Sequence, residues 1–238
     1  MVIHMNAKSE KNLNRDGIKY LIREFTSTFI YLAVLLISAG ILCWINALVS
    51  FGLILIYQIA NIVILHRINP SLINKRGKII QKTTKTFDKI FAVIFILLGY
   101  TIPVIAGLDA IRFHWTYMHF SLSILGGLFF GIACILGIWA MAVNSQFEMT
   151  VFTREGEHRV CTSGPYKVIR HPGYAAEIIS LFSSALILGS WFAFIPTGAL
   201  VVVFIIRTAL EDRTLQQELP GYQDYTKVTR YRLIPFIW

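Results

Sequence analysis

Long runs without charge alternate with short polar segments along most of this chain. The first run, residues 25–65, holds 41 residues without Asp, Glu, Lys, Arg or His. A helix needs about 20 apolar residues to cross a bilayer, so this run predicts two membrane spans joined by a turn. We place that turn near Asn46, a strongly polar residue close to the middle of the run. Residues 90–108 and 120–147 predict a third and a fourth span.

The last uncharged run, residues 178–206, is long for one span and short for two. The positive-inside rule, by which Lys and Arg collect on the cytoplasmic side, decides between these alternatives. If the run is a hairpin interrupted at Gly189, 21 of the 22 Lys and Arg residues lie on one side, the exception being Arg112. We therefore predict an all-α integral membrane protein with about six transmembrane helices, the last two forming a helical hairpin. Both termini are predicted to be cytoplasmic.

The composition agrees with a membrane protein. Charged residues make up 15% of the chain, whereas soluble domains contain about 25%. Three cysteines are too few for a disulfide framework. The net charge of +9 follows from the one-sided basic residues, so nucleic acid is not a predicted partner. We divide the chain into residues 1–119, with the N-terminal membrane helices and a basic loop, and residues 120–238, which carry the candidate chemistry.

The first candidate site lies in the polar segment 148–177. The tripeptide SGP at 163–165 breaks the chain, and Arg170-His171-Pro172 precedes the next helix. Proline suits the first helical position, because the N–H that it lacks is not needed there. His171 is therefore predicted near the N-cap, beside unsatisfied N–H groups that can hold a carboxylate. The simpler interpretation is a helix start signal, with Arg170 as an anchor at the membrane rim.

The second candidate lies where the last predicted helix leaves the membrane. Arg207 and Glu211 are four residues apart and share a helix face. A surface ion pair of this kind contributes only about 0.3–0.5 kcal/mol. However, Arg207 directly follows the apolar run, where a charge is costly unless it has a partner or a purpose. The chain then ends in an apolar, aromatic tail, residues 219–238, which we expect to pack back onto the membrane domain.

Together these segments resemble a known family. Four features are similar to the isoprenylcysteine carboxyl methyltransferase family. They are the string G-P-Y-x-x-x-R-H-P-x-Y at 164–174, a following hairpin, R-x-x-x-E at 207–211 and LPGYxxYxxxxxYRLIPFIW at 219–238. Its wider group includes phospholipid N-methyltransferases and bacterial membrane thiol methyltransferases. The resemblance covers residues 120–238, whereas residues 1–119 match only in their number of membrane helices.

The resemblance implies methyl transfer from S-adenosylmethionine without a Rossmann domain, and the sequence has no G-x-G-x-x-G motif of that fold. In the family, a C-terminal tail folds over a cofactor site at the cytoplasmic membrane surface. Arg207 and Glu211 match the polar pair beside donor and acceptor, and are the expected catalytic residues. No metal is implied. The residues expected to bind the cofactor come from the loop and the tail: Tyr166, Arg170, His171, Pro172, Tyr174, Tyr222, Tyr225, Leu233, Ile234 and Pro235.

The sequence leaves the methyl acceptor open. The family default is the carboxylate of an isoprenylcysteine-like substrate that arrives from the bilayer, and Arg207 can orient a carboxylate with a forked pair of hydrogen bonds. Glu211 would then brace Arg207 or bind the ammonium of the cofactor. A phospholipid amine would instead make Glu211 the direct contact, and a thiol is a further alternative. Whether Asn144 and Gln146 touch the cofactor also stays open.

Two interpretations compete with an enzyme. A transporter should show ionisable residues at mid-membrane depth, whereas the predicted spans contain Asn46, Gln58 and Asn61 but no charge. A catalytically silent assembly protein would keep the architecture without turnover. The gathering of polar chemistry at one face favours the enzyme, and no obligate protein partner is inferred.

Overall fold

The computed structural model describes residues 13–68, 70–77, 85–144, 147 and 160–238. Over these ranges the secondary structure is helical apart from one isolated bridge between Ile169 and Tyr231. The α-helices are α1 (Arg15–Ala39), α2 (Ile45–Ile68), α3 (Pro70–Arg76), α4 (Thr86–Gly107), α5 (Phe120–Val143), α6 (Pro172–Leu188), α7 (Phe194–Glu218) and α8 (Tyr222–Val228). A π-helical turn, Leu108–Arg112, continues α4, and a 3₁₀ turn, Gly164–Lys167, lies in the loop before α6.

Five of the described helices are long and apolar enough to cross a membrane. They are α1, α2, α4 with its π-helical extension, α5 and α7. Helix α6 has 17 residues, and at 1.5 Å per residue it measures about 25 Å, less than a hydrocarbon core of about 30 Å. The all-helical, multi-span architecture agrees with the sequence prediction, whereas the sixth crossing stays a prediction.

The turn between the first two spans lies earlier than predicted. Helix α1 ends at Ala39, and Gly40 closes it in the left-handed conformation with φ 75°. Helix α2 has begun by Ile45, so Asn46 belongs to its first turn. The Asn46 side chain donates a hydrogen bond to the carbonyl oxygen of Ile187 at 2.9 Å. This asparagine is therefore a contact between α2 and α6 and does not mark the turn.

The main hydrophobic core lies where α1, α4, α6 and α7 meet. Three of its rings, Phe91 and Phe95 of α4 and Phe204 of α7, contact one another with centroids 5.0 to 6.0 Å apart. Such aromatic pairs each contribute about 0.5–1.5 kcal/mol beyond their buried area. Helices from both parts of the chain thus share one core, and the predicted division after residue 119 stays a prediction.

Helices α5 and α6 approach each other closely at Gly126. A Cβ atom at this position would lie 2.7 Å from the Cβ of Leu186 and 2.9 Å from the backbone nitrogen of Ile187. These distances are too short for any side chain, so glycine is what allows the two helices to pack here. The contact fixes α6 along the membrane helix α5.

The turn between α6 and α7, residues 189–193, is held by Asp109 in the π-helical turn that continues α4. Its Oδ2 accepts hydrogen bonds from the Ser190 hydroxyl at 2.6 Å and from the Phe192 backbone N–H at 3.2 Å. Gly189 ends α6 in the left-handed conformation with φ 74°. A short turn returns the second helix along the first, so the beginning of α6 and the last turns of α7 come together at the other end.

Candidate active site

The buried carboxylate of Asp212 on α7 is the centre of the polar cluster at this end of the molecule. It is fully buried, and Arg170 from the loop before α6 binds it with two parallel hydrogen bonds. The Arg170 Nε lies 2.7 Å from Oδ1, and Nη2 lies 3.0 Å from Oδ2. Forked pairs between an arginine and a carboxylate are among the strongest hydrogen bonds in proteins. Arg170 therefore ties the loop to α7.

Four further donors, each from a different part of the chain, approach the same carboxylate. The Tyr222 hydroxyl of α8 lies 3.0 Å from Oδ1, and the Arg232 Nε of the tail lies 2.9 Å from Oδ2. The Gln216 amide, one turn along α7, lies 2.8 Å from Oδ2, and His171 Nε2 lies 3.4 Å from Oδ1. Asp212 thus connects the loop, α7, α8 and the tail. The sequence analysis did not single it out.

The tail also pairs with the loop through its backbone. The Arg170 N–H donates to the Tyr231 carbonyl and the His171 N–H to the Arg232 carbonyl, each at 2.9 Å. The Arg170 Nη1 donates to the carbonyl oxygens of Thr229 at 3.0 Å and Arg230 at 2.8 Å. The side chain of Arg170 is therefore engaged on all its nitrogens, and it acts here as a clamp between loop and tail.

His171, Tyr174 and Glu211 form a second group beside this clamp. His171 is the N-cap residue of α6 and Pro172 is its first residue, but the imidazole makes no capping hydrogen bond. Instead its ring stacks parallel on the Tyr174 ring, with centroids 5.6 Å apart. The Tyr174 hydroxyl donates a hydrogen bond to Oε2 of Glu211. His171 Nδ1 lies 3.9 Å from Oε1 of the same carboxylate. His171 is thus more than a helix cap.

Arg207 lies one helical turn before Glu211, but it forms an ion pair with a residue of another helix. Its Nη2 is 3.0 Å from Oδ1 of Asp88 at the beginning of α4. The guanidinium carbon lies 4.1 Å from the centroid of Phe91 and 5.1 Å from that of Tyr174. Asp88 and Arg207 are 119 positions apart in the chain. No short-range spacing could have predicted this pair.

Tyr166, Tyr222 and Tyr225 form the aromatic part of the site. The Tyr225 hydroxyl donates to the Tyr166 carbonyl at 2.7 Å, and the Asn144 amide donates to the Tyr166 hydroxyl at 3.1 Å. Burial raises the pKa of Tyr225 to about 12. Burial also raises the pKa of Tyr166, and burial together with the Asp212 charge raises the pKa of Tyr222. All three phenols therefore stay protonated at neutral pH. Asn144 belongs to this group, and Gln146 lies outside the described residues.

The three predicted tail residues occupy different environments. Leu233 is buried, whereas the Ile234 side chain is 52% exposed and Pro235 is partly buried. The tail is turned back on itself, since the N–H groups of Leu233 and Ile234 donate to a Trp238 oxygen at 3.0 and 3.1 Å. Of the three, Leu233 is the one that packs in the interior beside the clamp.

A cavity of about 800 Å³ opens beside the loop and α8. Among the predicted site residues it is lined by Tyr225, and it does not include Arg207 or Glu211. Its volume falls within the range of about 300–1,000 Å³ that small-molecule sites occupy. It carries one residue of each charge, Lys167 and Asp224. The remaining lining residues are Val160, Thr162, Pro220, Gly221, Val228 and Thr229.

Comparisons with known proteins agree with this architecture. Residues 121–220 match the family model of the phospholipid methyltransferases. This chain also matches a solved structure of the eukaryotic intramembrane Ras methyltransferase ICMT (isoprenylcysteine carboxyl methyltransferase). The match covers 90% of this chain and 75% of the ICMT chain. The two are 20% identical with a TM-score of 0.54, so this likeness concerns the fold. No curated protein matches the sequence. The predicted resemblance is thus confirmed for residues 121–220, which are similar to the phospholipid methyltransferases, and the chain has a fold similar to that of isoprenylcysteine carboxyl methyltransferase.

Proposed function

We propose that the protein transfers a methyl group from S-adenosylmethionine to a lipophilic acceptor at the cytoplasmic surface of the membrane. The observation that carries this proposal is the meeting of Arg207, Glu211, Tyr174 and His171 at one end of a membrane helix. There a cation, a carboxylate and two aromatic rings lie between the apolar core of the bilayer-spanning helices and the polar loop–tail assembly. That position suits an enzyme that must admit a polar donor and a lipid-like acceptor.

The residues present fit the methyl donor by their chemistry. S-adenosylmethionine supplies an electrophilic methyl group on a positively charged sulfonium, and it carries an ammonium and a carboxylate. Glu211 offers a carboxylate for the ammonium, beside the Tyr174 hydroxyl and the His171 imidazole. Tyr166, Pro172, Tyr222, Tyr225, Leu233, Ile234 and Pro235 complete the proposed cofactor site, with Arg170 holding the loop and the tail around it.

Arg207 is proposed to orient the acceptor. Methyl transfer is an in-line displacement that needs no covalent intermediate, so the protein must align two reactants and exclude water. A guanidinium held between Asp88 and two aromatic rings has a fixed plane, and it can direct an acceptor carboxylate through paired hydrogen bonds. Glu211 then serves the donor, while its neighbour Asp212 holds the surrounding assembly.

The acceptor that we propose first is the carboxylate of an isoprenylcysteine-like substrate, because Arg207 suits a carboxylate. A phospholipid amine is the second candidate, and the match of residues 121–220 to the phospholipid methyltransferase model favours it. In that case Glu211 would contact the amine directly. A thiol acceptor and a catalytically silent assembly protein are the remaining alternatives.

An acceptor screen tests the proposal. Detergent-purified protein of verified fold is incubated with methyl-labelled S-adenosylmethionine and one of three acceptors: N-acetyl-S-farnesylcysteine, phosphatidylethanolamine or a long-chain thiol. We expect label in the farnesylated ester. Label in the phospholipid or the thiol would show that the isoprenylcysteine-like acceptor is wrong, whereas the proposed methyltransferase activity would stand. A folded protein that labels none of the three acceptor classes, and does not bind the cofactor, would overturn the proposed function.

A further inference from the structure

Asp88 on α4 is a buried acid that the sequence motifs of the methyltransferase core do not contain. It lies in the N-terminal half of the chain, and its side chain is completely buried. Its carboxylate Oδ1 lies 3.0 Å from Arg207 Nη2, whose side chain is 9% exposed. Asp88 is in the first turn of α4, where an acid also interacts favourably with the helix dipole. A role at the helix end alone does not require burial against an arginine of another helix.

The neighbours of Arg207 define the orientation of its guanidinium group. Phe91 lies one turn beyond Asp88 on α4, and its ring centroid is 4.1 Å from the guanidinium carbon. Tyr174 of α6 approaches at 5.1 Å, and the same tyrosine donates a hydrogen bond to Glu211. Two adjacent side chains of α4 and one of α6 thus enclose the guanidinium. Asp88 is the member of this set that supplies an opposite charge, 3.0 Å from the guanidinium.

We infer that Asp88 is a positioning residue, which fixes the plane of Arg207 so that Arg207 can align the methyl acceptor. The inference rests on the proposed function and assigns part of the active site to α4, in the half of the chain that lies outside the match to the family model. Asp88 acts through Arg207 and does not touch the reacting atoms. Its removal should therefore change turnover and leave the cofactor site intact.

The chain offers a matched control for this pair. Lys85 Nζ, at the start of α4, lies 2.6 Å from Glu218 Oε1 on α7, and both side chains are about one-third exposed. This second ion pair joins the same two helices, three residues before Asp88, but at the surface. A variant Lys85→Gln removes an ion pair between α4 and α7 without altering the surroundings of Arg207.

The experiment measures kcat, the KM for cofactor and acceptor, and the thermal midpoint for Asp88→Asn, Arg207→Lys, the double variant and Lys85→Gln. We expect Asp88→Asn to lower kcat by about tenfold to a hundredfold, since small misalignments have effects of that size. The KM for the cofactor should stay within about twofold, as expected of a group that does not contact the donor. Both single variants disturb the same contact, that between Asp88 and Arg207. The double variant should therefore have a kcat no lower than that of Arg207→Lys alone. Lys85→Gln should retain wild-type turnover.

Several outcomes would overturn the role of Asp88. One is a kcat of Asp88→Asn equal to that of the wild type. Another is a fall in kcat of the double variant equal to the product of the two single-variant falls. Either result would mean that the role of Asp88 is purely structural. If Asp88→Asn does not fold, Asp88→Glu carries the test, because it keeps the carboxylate but moves it by one methylene. Wild-type kcat in that variant would also overturn the inference. A wild-type protein without methyl transfer would overturn the proposed function, and with it this role.

Discussion

At the scale of single residues, the site is organised around the buried carboxylate of Asp212. Arg170, His171 and Tyr222 were each predicted as site residues, and all three direct a side chain to Asp212. Asp212 itself follows Glu211 directly, and the spacing from Arg207 drew attention to Glu211 alone. The residue types at the site were thus predictable from local strings. Their common partner was not, because it is 41 and 42 positions from the loop that it binds.

Replacement of Asp212 tests the importance of this partner. Asp212→Asn keeps the size of the side chain but leaves Arg170 buried without its counter-charge, which we expect to cost about 3–5 kcal/mol of stability. The thermal midpoint in detergent should fall, and the tail should become accessible to carboxypeptidase. The control is Asp224→Asn, which removes an exposed carboxylate of α8 paired with Lys227. An Asp212→Asn variant as stable as this control would contradict the central position of Asp212.

Two further variants separate the roles of Arg207 and Glu211. Arg207→Lys keeps the charge but loses the planar fork, so turnover should fall by more than the roughly twofold effect of a rim ion pair. Its affinity for the cofactor should be unchanged. Glu211→Gln should weaken cofactor binding if Glu211 holds the ammonium of the cofactor. If Glu211 contacts the acceptor instead, the variant should lower turnover and leave cofactor binding unchanged. Near-normal values of both quantities in both variants would remove the pair from the catalytic site.

At the scale of helices, the uncharged runs predicted which segments form membrane helices but not where these helices begin and end. Helix α6 begins at Pro172, six residues before the uncharged run at 178–206, and α7 continues to Glu218, twelve residues after it. A helix can continue beyond the apolar region when its charged side chains form ion pairs with buried partners. On α7, Arg207 pairs with Asp88 and Asp212 pairs with Arg170. The start of α6 was predictable, since His171-Pro172 is a local signal. The length of α7 was not.

The close contact of α5 with α6 gives a test at this scale. Gly126→Ala would place a methyl group 2.7 Å from the Leu186 Cβ, and overpacking of this kind costs about 1–3 kcal/mol. A methyl group on the adjacent Gly127 would meet no atom of a neighbouring element within 4 Å, so Gly127→Ala is a matched control. It should be neutral or stabilising by about 0.4–1 kcal/mol. Thermal unfolding in detergent compares the two, and equal midpoints would contradict the packing described here.

At the scale of the whole molecule, the site lies at the end of α7 and the beginning of α6, together with most of the basic residues that the structure describes. The connection between α1 and α2 and the turn at 189–193 lie at the opposite ends of their helices. By the positive-inside rule, we propose that the site and both termini face the cytoplasm. The direction of insertion depends on the membrane and the insertion machinery, so it is inferred from charge and not from packing.

Native and introduced cysteines test this orientation. Cys43 is exposed in the connection between α1 and α2, so a membrane-impermeant maleimide should label it from outside intact cells. In a Cys43→Ser background, Lys75→Cys on α3 should be labelled only after the membrane is opened. Labelling of Lys75→Cys in intact cells, or protection of Cys43 until lysis, would reverse the proposed topology.

The central claim, that this end of the molecule binds a methyl donor, is tested most directly by calorimetric titration of S-adenosylmethionine into the purified protein. Wild-type protein should bind one equivalent, and His171→Ala should bind it more weakly while still unfolding in a single cooperative thermal transition. Lys85→Gln should bind like the wild type. Absence of binding by folded wild-type protein would contradict the account as a whole, whereas unchanged affinity in His171→Ala would remove that residue from the cofactor site.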